Sequence, residues 1–216
     1  MNEPSLLGVL IGQPIIPVVT IDDPDIAPQL ADALLSGGIG IVEVTLRSEA
    51  GLAAIRRLKR RHPSMLVAAG TVLSARQMGL AAEAGADFAV SPGTTPALLE
   101  AAASLGFPYL PGVATASEAM LAAEAGFEVL KFFPAQAAGG VALLKGLAEP
   151  LPHLSFCPTG GVSQDNLADY LRLPNVVCVG GTWIATRQAL READWDGISA
   201  RAASAVAEAR IALRLR

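Results

Sequence analysis

Ala82-Glu83-Ala84-Gly85-Ala86-Asp87-Phe88-Ala89-Val90 combines the end of a helix, a glycine that can adopt a left-handed cap, and an apolar strand. The same order returns at Ala123-Glu124-Ala125-Gly126-Phe127-Glu128-Val129-Leu130, and Leu34-Leu35-Ser36-Gly37-Gly38-Ile39-Gly40-Ile41-Val42 is a looser third copy. A chain that alternates helix and strand in this way builds a parallel sheet with helices packed outside it. The repeats therefore predict an α/β protein.

The same pattern predicts eight strands, near residues 15–20, 39–45, 65–69, 88–90, 109–110, 129–132, 154–157 and 176–179. Helices separate them, for example at 52–61, 75–84, 95–104 and 117–125. Eight such units favour a closed (β/α)₈ TIM barrel, and an open doubly wound or flavodoxin-like sheet is the alternative. No Pro/Ser-rich linker divides the chain, so residues 1–216 are expected to form a single barrel domain. A helical segment at about 1–14 and a closing helix at about 195–216 would flank it.

Amino-acid composition indicates whether the protein is soluble and in which compartment it is expected. Of the 216 residues, 52% are hydrophobic and 17% are charged, which is enough apolar material for a sizeable core. No apolar run reaches the about 18 residues that span a bilayer. The start lacks a basic leader, and Cys157 and Cys178 lie in apolar segments, so a soluble protein in a reducing cytoplasm is expected.

Charge distribution argues against a nucleic-acid partner, because the net charge is −4 and no dense basic stripe is present. The arginines near the C-terminus are expected on the solvent side of the closing helix. They are Arg201, Arg210, Arg214 and Arg216, opposite an apolar side formed by Ala202, Val206, Ala209 and Leu213.

Lys131 lies inside the apolar strand Val129-Leu130-Lys131-Phe132-Phe133. Burial disfavours the ammonium form, so a lysine in such a place can present a nucleophilic nitrogen that forms a Schiff base with a ketone. A structural alternative is a lysine that snorkels from the strand end or pairs with a carboxylate. Phe133 shares the face of Lys131, so its ring and the amine are predicted to line one cavity.

The segment Val42-Glu43-Val44-Thr45-Leu46-Arg47 places Glu43, Thr45 and Arg47 on one face of a strand. In a barrel, functional groups gather at the C-terminal ends of the strands. We therefore expect Glu43 and Arg47 to meet Lys131, the carboxylate to transfer protons, and the guanidinium to bind a substrate carboxylate. The alternative is a solvated Glu43–Arg47 pair at a strand end.

Glycine pairs follow the last two predicted strands, in Pro158-Thr159-Gly160-Gly161-Val162 and Gly180-Gly181-Thr182-Trp183. Barrels commonly bind phosphate at these loops, where glycine lets backbone N–H groups approach an anion. The Thr182 hydroxyl could add a hydrogen-bond donor. The structural alternative is that these glycines only form tight turns and helix caps. With His62 and His153 as the two histidines, no zinc-like cysteine spacing and no P-loop, we expect neither a metal site nor a histidine triad.

Six motifs together resemble the 2-keto-3-deoxy-6-phosphogluconate (KDPG) aldolase family, which also cleaves 4-hydroxy-2-oxoglutarate (KHG). In chain order they are Glu43-Val44-Thr45-Leu46-Arg47, Gly70-Thr71-Val72, Ser91-Pro92-Gly93, Lys131-Phe132-Phe133-Pro134-Ala135, Pro158-Thr159-Gly160-Gly161 and Gly180-Gly181-Thr182-Trp183. The resemblance runs from about residue 15 to 186. It implies a (β/α)₈ class I aldolase of carbohydrate metabolism, in the Entner-Doudoroff route, that is a homotrimer and uses no metal or organic cofactor, since the imine is the electron sink.

The resemblance also implies roles for individual residues. Lys131 would form the Schiff base and Glu43 would be the general acid and base. The implied substrate contacts are Arg47 and Thr71 at the pyruvate carboxylate, Pro92 and Phe133 beside the imine, Thr159, and Gly160, Gly161, Gly180, Gly181 and Thr182 at the phosphate. The implied reaction cleaves KDPG to pyruvate and D-glyceraldehyde 3-phosphate, and KHG to pyruvate and glyoxylate.

Two positions depart from the family pattern. Many members have Pro-Ala-Glu where this chain has Pro134-Ala135-Gln136, and many have serine where Thr182 stands. The second change keeps a hydroxyl, whereas Gln136 removes a charge beside the site. Two other functions stay open. One is a sister aldolase whose main substrate is the C4-epimeric 6-phosphogalactonate derivative or unphosphorylated KHG, and the other is a catalytically silent barrel that binds phosphorylated sugar acids.

Overall fold

The computed structural model describes residues 5–215. The strands are β1 (Ile15–Val19), β2 (Ile41–Thr45), β3 (Leu66–Gly70), β4 (Phe88–Val90), β5 (Tyr109–Leu110), β6 (Gly112–Val113), β7 (Val129–Phe132), β8 (Ser155–Pro158) and β9 (Val179–Gly181). The helices are α1 (Leu6–Ile11), α2 (Ala27–Ser36), α3 (Gly51–Arg61), α4 (Ala75–Glu83), α5 (Pro96–Leu105), α6 (Ala116–Glu124), α7 (Gly140–Ala148), α8 (Leu167–Leu171), α9 (Arg187–Arg191) and α10 (Trp195–Arg214), and a 3₁₀ turn spans Pro24–Ile26.

The strands pair in parallel and form a curled sheet in two parts. One part has six strands in the order β5-β4-β3-β2-β1-β9, and the other has three in the order β6-β7-β8. Pro111, which has no N–H to donate, separates β5 from β6, and its carbonyl accepts a bond of 2.9 Å from Lys131 N. Two single bridges, Phe156 to Val176 and Thr159 to Gly180, connect the other edges of the two parts. The α/β prediction is therefore confirmed.

The glycine repeat that suggested this architecture has the expected geometry. Gly85 and Gly126 follow α4 and α6 with φ angles of +87° and +90°, and Gly38 follows α2 at +84°. Each glycine reverses the chain from a helix into the next strand, a conformation that residues with a Cβ rarely adopt. Eight strands were predicted and nine are observed, because β5 and β6 are separate and β6 was not predicted. The other predicted bounds agree with the observed ones within two residues, except that α1 already ends at Ile11 and the last strand begins at Val179. Before it, the Val176 N–H donates to Leu173 O in a turn, so the ladder starts late.

Helix α10 closes the fold against α2. Ala202 and Ala209 are fully buried and Val206 and Leu213 pack against the core, which confirms the predicted apolar side. A Cβ on Gly37, at the end of α2, would lie 2.4 Å from the Ala202 Cβ, so the two helices are in backbone contact. No helix among the described residues is long and apolar enough to cross a membrane.

The predicted solvent side of α10 is correct for Arg210 and Arg214, which are exposed. Arg201 differs, because its Nε donates to Ile184 O at 2.8 Å and its guanidinium pairs with Asp194 at the N-terminal cap of the helix. Arg216 and residues 1–4 lie outside the described part of the chain. Within the predicted N-terminal segment, Ser5 caps α1.

Candidate active site

Lys131 and Glu43 meet in the interior, although β7 and β2 belong to different parts of the sheet. Lys131 Nζ donates to Glu43 Oε1 at 3.1 Å and to Oε2 at 3.3 Å. Only 4% of Lys131 and 3% of Glu43 is exposed. The lysine thus has a carboxylate partner, as the structural alternative supposed, but that partner is the predicted acid/base residue. A buried charge needs such a partner, and a proton can pass directly between these two groups.

Gly70, at the end of β3, makes room for this pair. It lies opposite Thr45 in the β2–β3 register. A Cβ on Gly70 would lie 2.3 Å from Glu43 Oε1 and 2.6 Å from its Cγ, which is far inside van der Waals contact. The glycine is therefore required by the position of the carboxylate rather than by a turn.

Phe133 and Cys157 complete the surroundings of the amine. Lys131 Nζ lies 5.3 Å from the centroid of the Phe133 ring, within the range of a cation–π contact, so the amine and the ring are neighbours, as their shared strand face predicts. Cys157 is the register partner of Lys131 on β8 and therefore shares its face. A hydrogen bond with Cys157 and complete burial raise the pKa of the Cys178 thiol well above its ordinary value.

Arg47 and Thr71 meet where β2 and β3 end. Arg47 Nε donates to Thr71 Oγ1 at 3.1 Å, and the guanidinium is exposed. Thr71 has a φ of +57°, a left-handed conformation that is a genuine outlier for a branched side chain. Such strain is typical of functional sites. The hydrogen bond to Thr71 orients the Arg47 guanidinium, whose planar set of N–H donors matches the two oxygens of a carboxylate.

The two glycine loops lie side by side, and one of them contacts the Phe133 ring. Thr159 bridges to Gly180, and a Cβ on Gly180 would lie 2.4 Å from Thr159 Oγ1. Gly160 and Gly161 have φ angles of +95° and +80°, and a Cβ on Gly160 would lie 3.2 Å from the Phe133 ring. The loops therefore form one surface beside the Phe133 ring, whose centroid lies 5.3 Å from Lys131 Nζ.

Gly181 and Thr182 continue this surface after β9. The Trp183 ring packs over Gly181, where a Cβ would overlap it at 1.8 Å. Thr182 is exposed at the loop, so its hydroxyl is accessible to an anion. In residues 5–215 no three His, Cys, Asp or Glu side chains are grouped closely enough to hold a metal ion.

Pro92 is half-buried and fixed by a network that the sequence did not reveal. The Gly112 N–H donates to Ser91 Oγ at 3.2 Å, and Ser91 Oγ lies 2.6 Å from the Tyr109 hydroxyl. Burial raises the pKa of Tyr109. Ser91 belongs to one of the recognised motifs, but no spacing in the sequence indicates that Tyr109 reaches it.

An amine in hydrogen-bond contact with a carboxylate inside an α/β fold is suited to imine chemistry on a carbonyl substrate, as in class I aldolases. The Arg47 guanidinium follows the strand that carries the carboxylate, two residues beyond its end. Sequence comparison agrees with this class. The sequence model of the KDPG and KHG aldolase family matches residues 8–201, and the chain belongs to that family.

Individual relatives extend over most of the chain. The 2-dehydro-3-deoxy-phosphogluconate aldolase of Pseudomonas aeruginosa is 52% identical over 182 residues, covering 84% of this chain and 82% of the relative. The KHG/KDPG aldolase of Escherichia coli K12 is 43% identical over 207 residues, covering 96% and 97%. A crystal structure of KDPG aldolase from Legionella pneumophila, with pyruvate captured as a covalent carbinolamine, has a TM-score of 0.90 at 42% identity and covers 92% of this chain and 97% of its own.

Proposed function

We propose that this enzyme is a class I aldolase that reversibly cleaves KDPG to pyruvate and D-glyceraldehyde 3-phosphate, and also cleaves KHG to pyruvate and glyoxylate. The observation that carries the proposal is the buried contact of 3.1 Å between Lys131 Nζ and Glu43 Oε1. Membership of the KDPG and KHG aldolase family supports the same reaction.

The first half of the reaction forms the imine. Glu43 takes a proton from the Lys131 ammonium, and the free amine attacks the C2 ketone to give a carbinolamine. Glu43 then returns a proton to the departing hydroxyl, directly or through water, and water leaves. The product is a protonated imine, and Glu43 is a carboxylate again.

The second half breaks the carbon–carbon bond. Glu43 accepts the proton of the C4 hydroxyl while the electrons of the C3–C4 bond move into the protonated imine. D-glyceraldehyde 3-phosphate leaves and an enamine of pyruvate stays on Lys131. Protonation at C3 and hydrolysis of the imine release pyruvate and restore the amine. The imine stabilises the developing carbanion, which a divalent ion does in other aldolases.

Binding groups surround this centre. Arg47 and Thr71 would bind the pyruvate carboxylate, and their mutual bond of 3.1 Å supports that role. Pro92 and Phe133 would enclose the imine. The loop surface of Thr159, Gly160, Gly161, Gly180, Gly181 and Thr182 would bind the phosphate through backbone N–H groups and the Thr182 hydroxyl.

We also infer that the strands close into one eight-stranded barrel in a single domain. The support is that Pro111 alone interrupts β5 and β6, and that Thr159 bridges to Gly180 across the other seam. A cytoplasmic homotrimer is the expected form. The exposed side chains of Leu73, Leu105 and Met120 give such an assembly apolar surface to bury. Sedimentation equilibrium tests it, and a monomer at micromolar concentration would contradict it.

The decisive experiment incubates the enzyme with pyruvate, reduces it with borohydride and maps the adduct by mass spectrometry. The chain has three lysines, so assignment is direct. Lys131 should carry the adduct, while Lys59, which is held by Asp87 at 2.9 Å, and the exposed Lys145 should not. Lys145→Met is the control for Lys131→Met, which should abolish turnover. A folded enzyme with no adduct would favour the silent binder.

Substrate preference needs a second measurement. Cleavage rates are compared for KDPG, its C4 epimer and KHG. A higher kcat/KM for the epimer would replace the proposed reaction with that of the sister aldolase.

A further inference from the structure

Thr20 lies beside Thr45 on the face of the sheet that carries Glu43. The β1–β2 register pairs Val18 with Glu43. Thr20 and Thr45 each lie two residues further along, so they are opposite each other and share that face. The hydroxyl groups agree with this placement, because Thr20 Oγ1 is 2.8 Å from Thr45 Oγ1. The Thr20 hydroxyl is therefore on the same side of the sheet as the proposed acid/base carboxylate.

The burial of the two residues determines which hydroxyl is the donor. Thr45 is fully buried, whereas Thr20 is half-buried. The pair has two O–H groups and uses one of them in the mutual hydrogen bond, and within residues 5–215 neither hydroxyl has another partner. Thr45 is therefore the donor, because the opposite direction would leave a fully buried O–H without an acceptor. The O–H that remains belongs to Thr20, and the bond from Thr45 polarises it into a better donor.

The strand order places Thr20 between the two ends of the proposed substrate site. β1 lies between β2 and β9 in the sheet. Arg47, just after β2, would bind the carboxylate, and Gly180-Gly181-Thr182, at the end of β9, would bind the phosphate. A substrate that extends from one to the other must pass the end of β1. Its C4 hydroxyl would be at Glu43 on β2 and its C6 phosphate at β9, so its C5 hydroxyl would lie beside Thr20.

We propose that Thr20 is a specificity residue, which donates a hydrogen bond to the C5 hydroxyl of KDPG and, in the reverse reaction, to the C2 hydroxyl of D-glyceraldehyde 3-phosphate. This inference rests on the proposed aldolase function. It assigns recognition of the hydroxyl between the reacting carbon and the phosphate to the Thr20–Thr45 pair. A site that hydrogen-bonds a substrate hydroxyl rejects an analogue without it, because the donor then stays unpaired.

The test measures aldol addition of pyruvate to D-glyceraldehyde 3-phosphate and to 3-oxopropyl phosphate, the same aldehyde without its C2 hydroxyl. Thr20→Val removes the donor and keeps the shape of the side chain. The ratio of kcat/KM for the first aldehyde over that for the second should fall about five- to tenfold, the effect of one lost hydrogen bond. Thr20→Ser keeps the donor and should keep most of the ratio. Equal losses with both aldehydes, or an unchanged ratio in Thr20→Val, would overturn the inference.

A double variant separates recognition of the aldehyde from the loss of the buried hydrogen bond. Thr20→Val alone leaves the Thr45 hydroxyl buried without an acceptor, which should lower the urea midpoint of unfolding. Thr20→Val combined with Thr45→Val removes both hydroxyls, so it should recover most of that stability while the aldehyde ratio stays low. A ratio that recovers together with the stability would show that the pair is merely structural and would refute the role of Thr20.

Borohydride trapping of pyruvate distinguishes this inference from the proposed function. Failure to trap pyruvate on Lys131 of the unsubstituted enzyme would refute the aldolase function and, with it, the role of Thr20. Normal trapping with an unaltered aldehyde ratio in Thr20→Val would refute only the role of Thr20.

Discussion

Replacing Gly70 with alanine should inactivate the enzyme while leaving it folded. The added methyl group would lie 2.3 Å from Glu43 Oε1, 2.6 Å from Cγ and 2.8 Å from Cδ. A carbon and a carboxylate oxygen in ordinary contact are about 3.5 Å apart, so the carboxylate must withdraw by about 1 Å. Its bonds of 3.1 and 3.3 Å to Lys131 Nζ would then exceed hydrogen-bond length.

The magnitude follows from that displacement. A misplacement of 1 Å in a reacting group can cost about a hundredfold in rate, and loss of general acid–base catalysis costs about 10²- to 10⁴-fold. We expect kcat to fall by at least about a hundredfold. Overpacking should cost about 1–3 kcal/mol of unfolding free energy, partly offset by the lower chain entropy of alanine in the unfolded state.

The assay follows pyruvate release with lactate dehydrogenase and unfolding by circular dichroism in urea. Gly79→Ala is the matched control, because a Cβ on Gly79 in α4 meets nothing within 4 Å. It should keep full activity and gain about 0.5–1 kcal/mol of stability. A folded Gly70→Ala enzyme with unchanged kcat would show that Glu43 does not need its observed position, and would refute the reasoning.

Three further substitutions or modifications test other parts of the structure. Thr71→Gly should change the unfolding free energy by less than about 1 kcal/mol, because relief of the positive φ offsets the greater entropy of glycine in the unfolded chain. The same substitution should lower kcat/KM about tenfold, because the hydrogen bond from Arg47 is lost. Thr71→Ser keeps the hydroxyl and should retain most of the activity. Native Cys178 should react with iodoacetamide at pH 8 far more slowly than in urea, because Cys157 and burial raise its thiol pKa; equal rates would contradict that burial. Backbone N–H groups at the start of α6 lower the pKa of Glu118. Glu118→Gln should therefore reduce the unfolding free energy by about 1 kcal/mol above pH 4.5, and by progressively less as the pH falls through the lowered pKa. Urea titrations of both proteins at several pH values measure this difference.

Strand parity was enough to predict that Glu43 and Lys131 meet in the interior. Glu43 and Lys131 each interrupt an apolar strand pattern, and a parallel fold leaves few places for such groups except a shared interior. The glycine repeat likewise predicted where helices end, because a left-handed turn favours glycine independently of the tertiary contacts around it.

Contacts between distant elements could not be predicted in the same way. Tyr170 lies on α8 and reaches Gln136 after β7, and Tyr109 reaches Ser91 from the neighbouring strand. Neither tyrosine interrupts a local pattern, since each has enough apolar surface to occupy a core position. The requirement for Gly70 is also tertiary, because the clash it avoids involves a side chain on β2.

The buried Lys131–Glu43 ion pair has a consequence for the energetics of the whole cycle. Ammonium and carboxylate together carry no net charge, and neither do a free amine and a carboxylic acid. In the proposed reaction, a protonated imine on Lys131 replaces the ammonium as the partner of the carboxylate. The cost of removing charge from water is therefore met once, when the chain folds. Each covalent state of the proposed reaction would inherit the same electrostatic balance, so the Lys131–Glu43 site would not need to reorganise around a new charge during turnover.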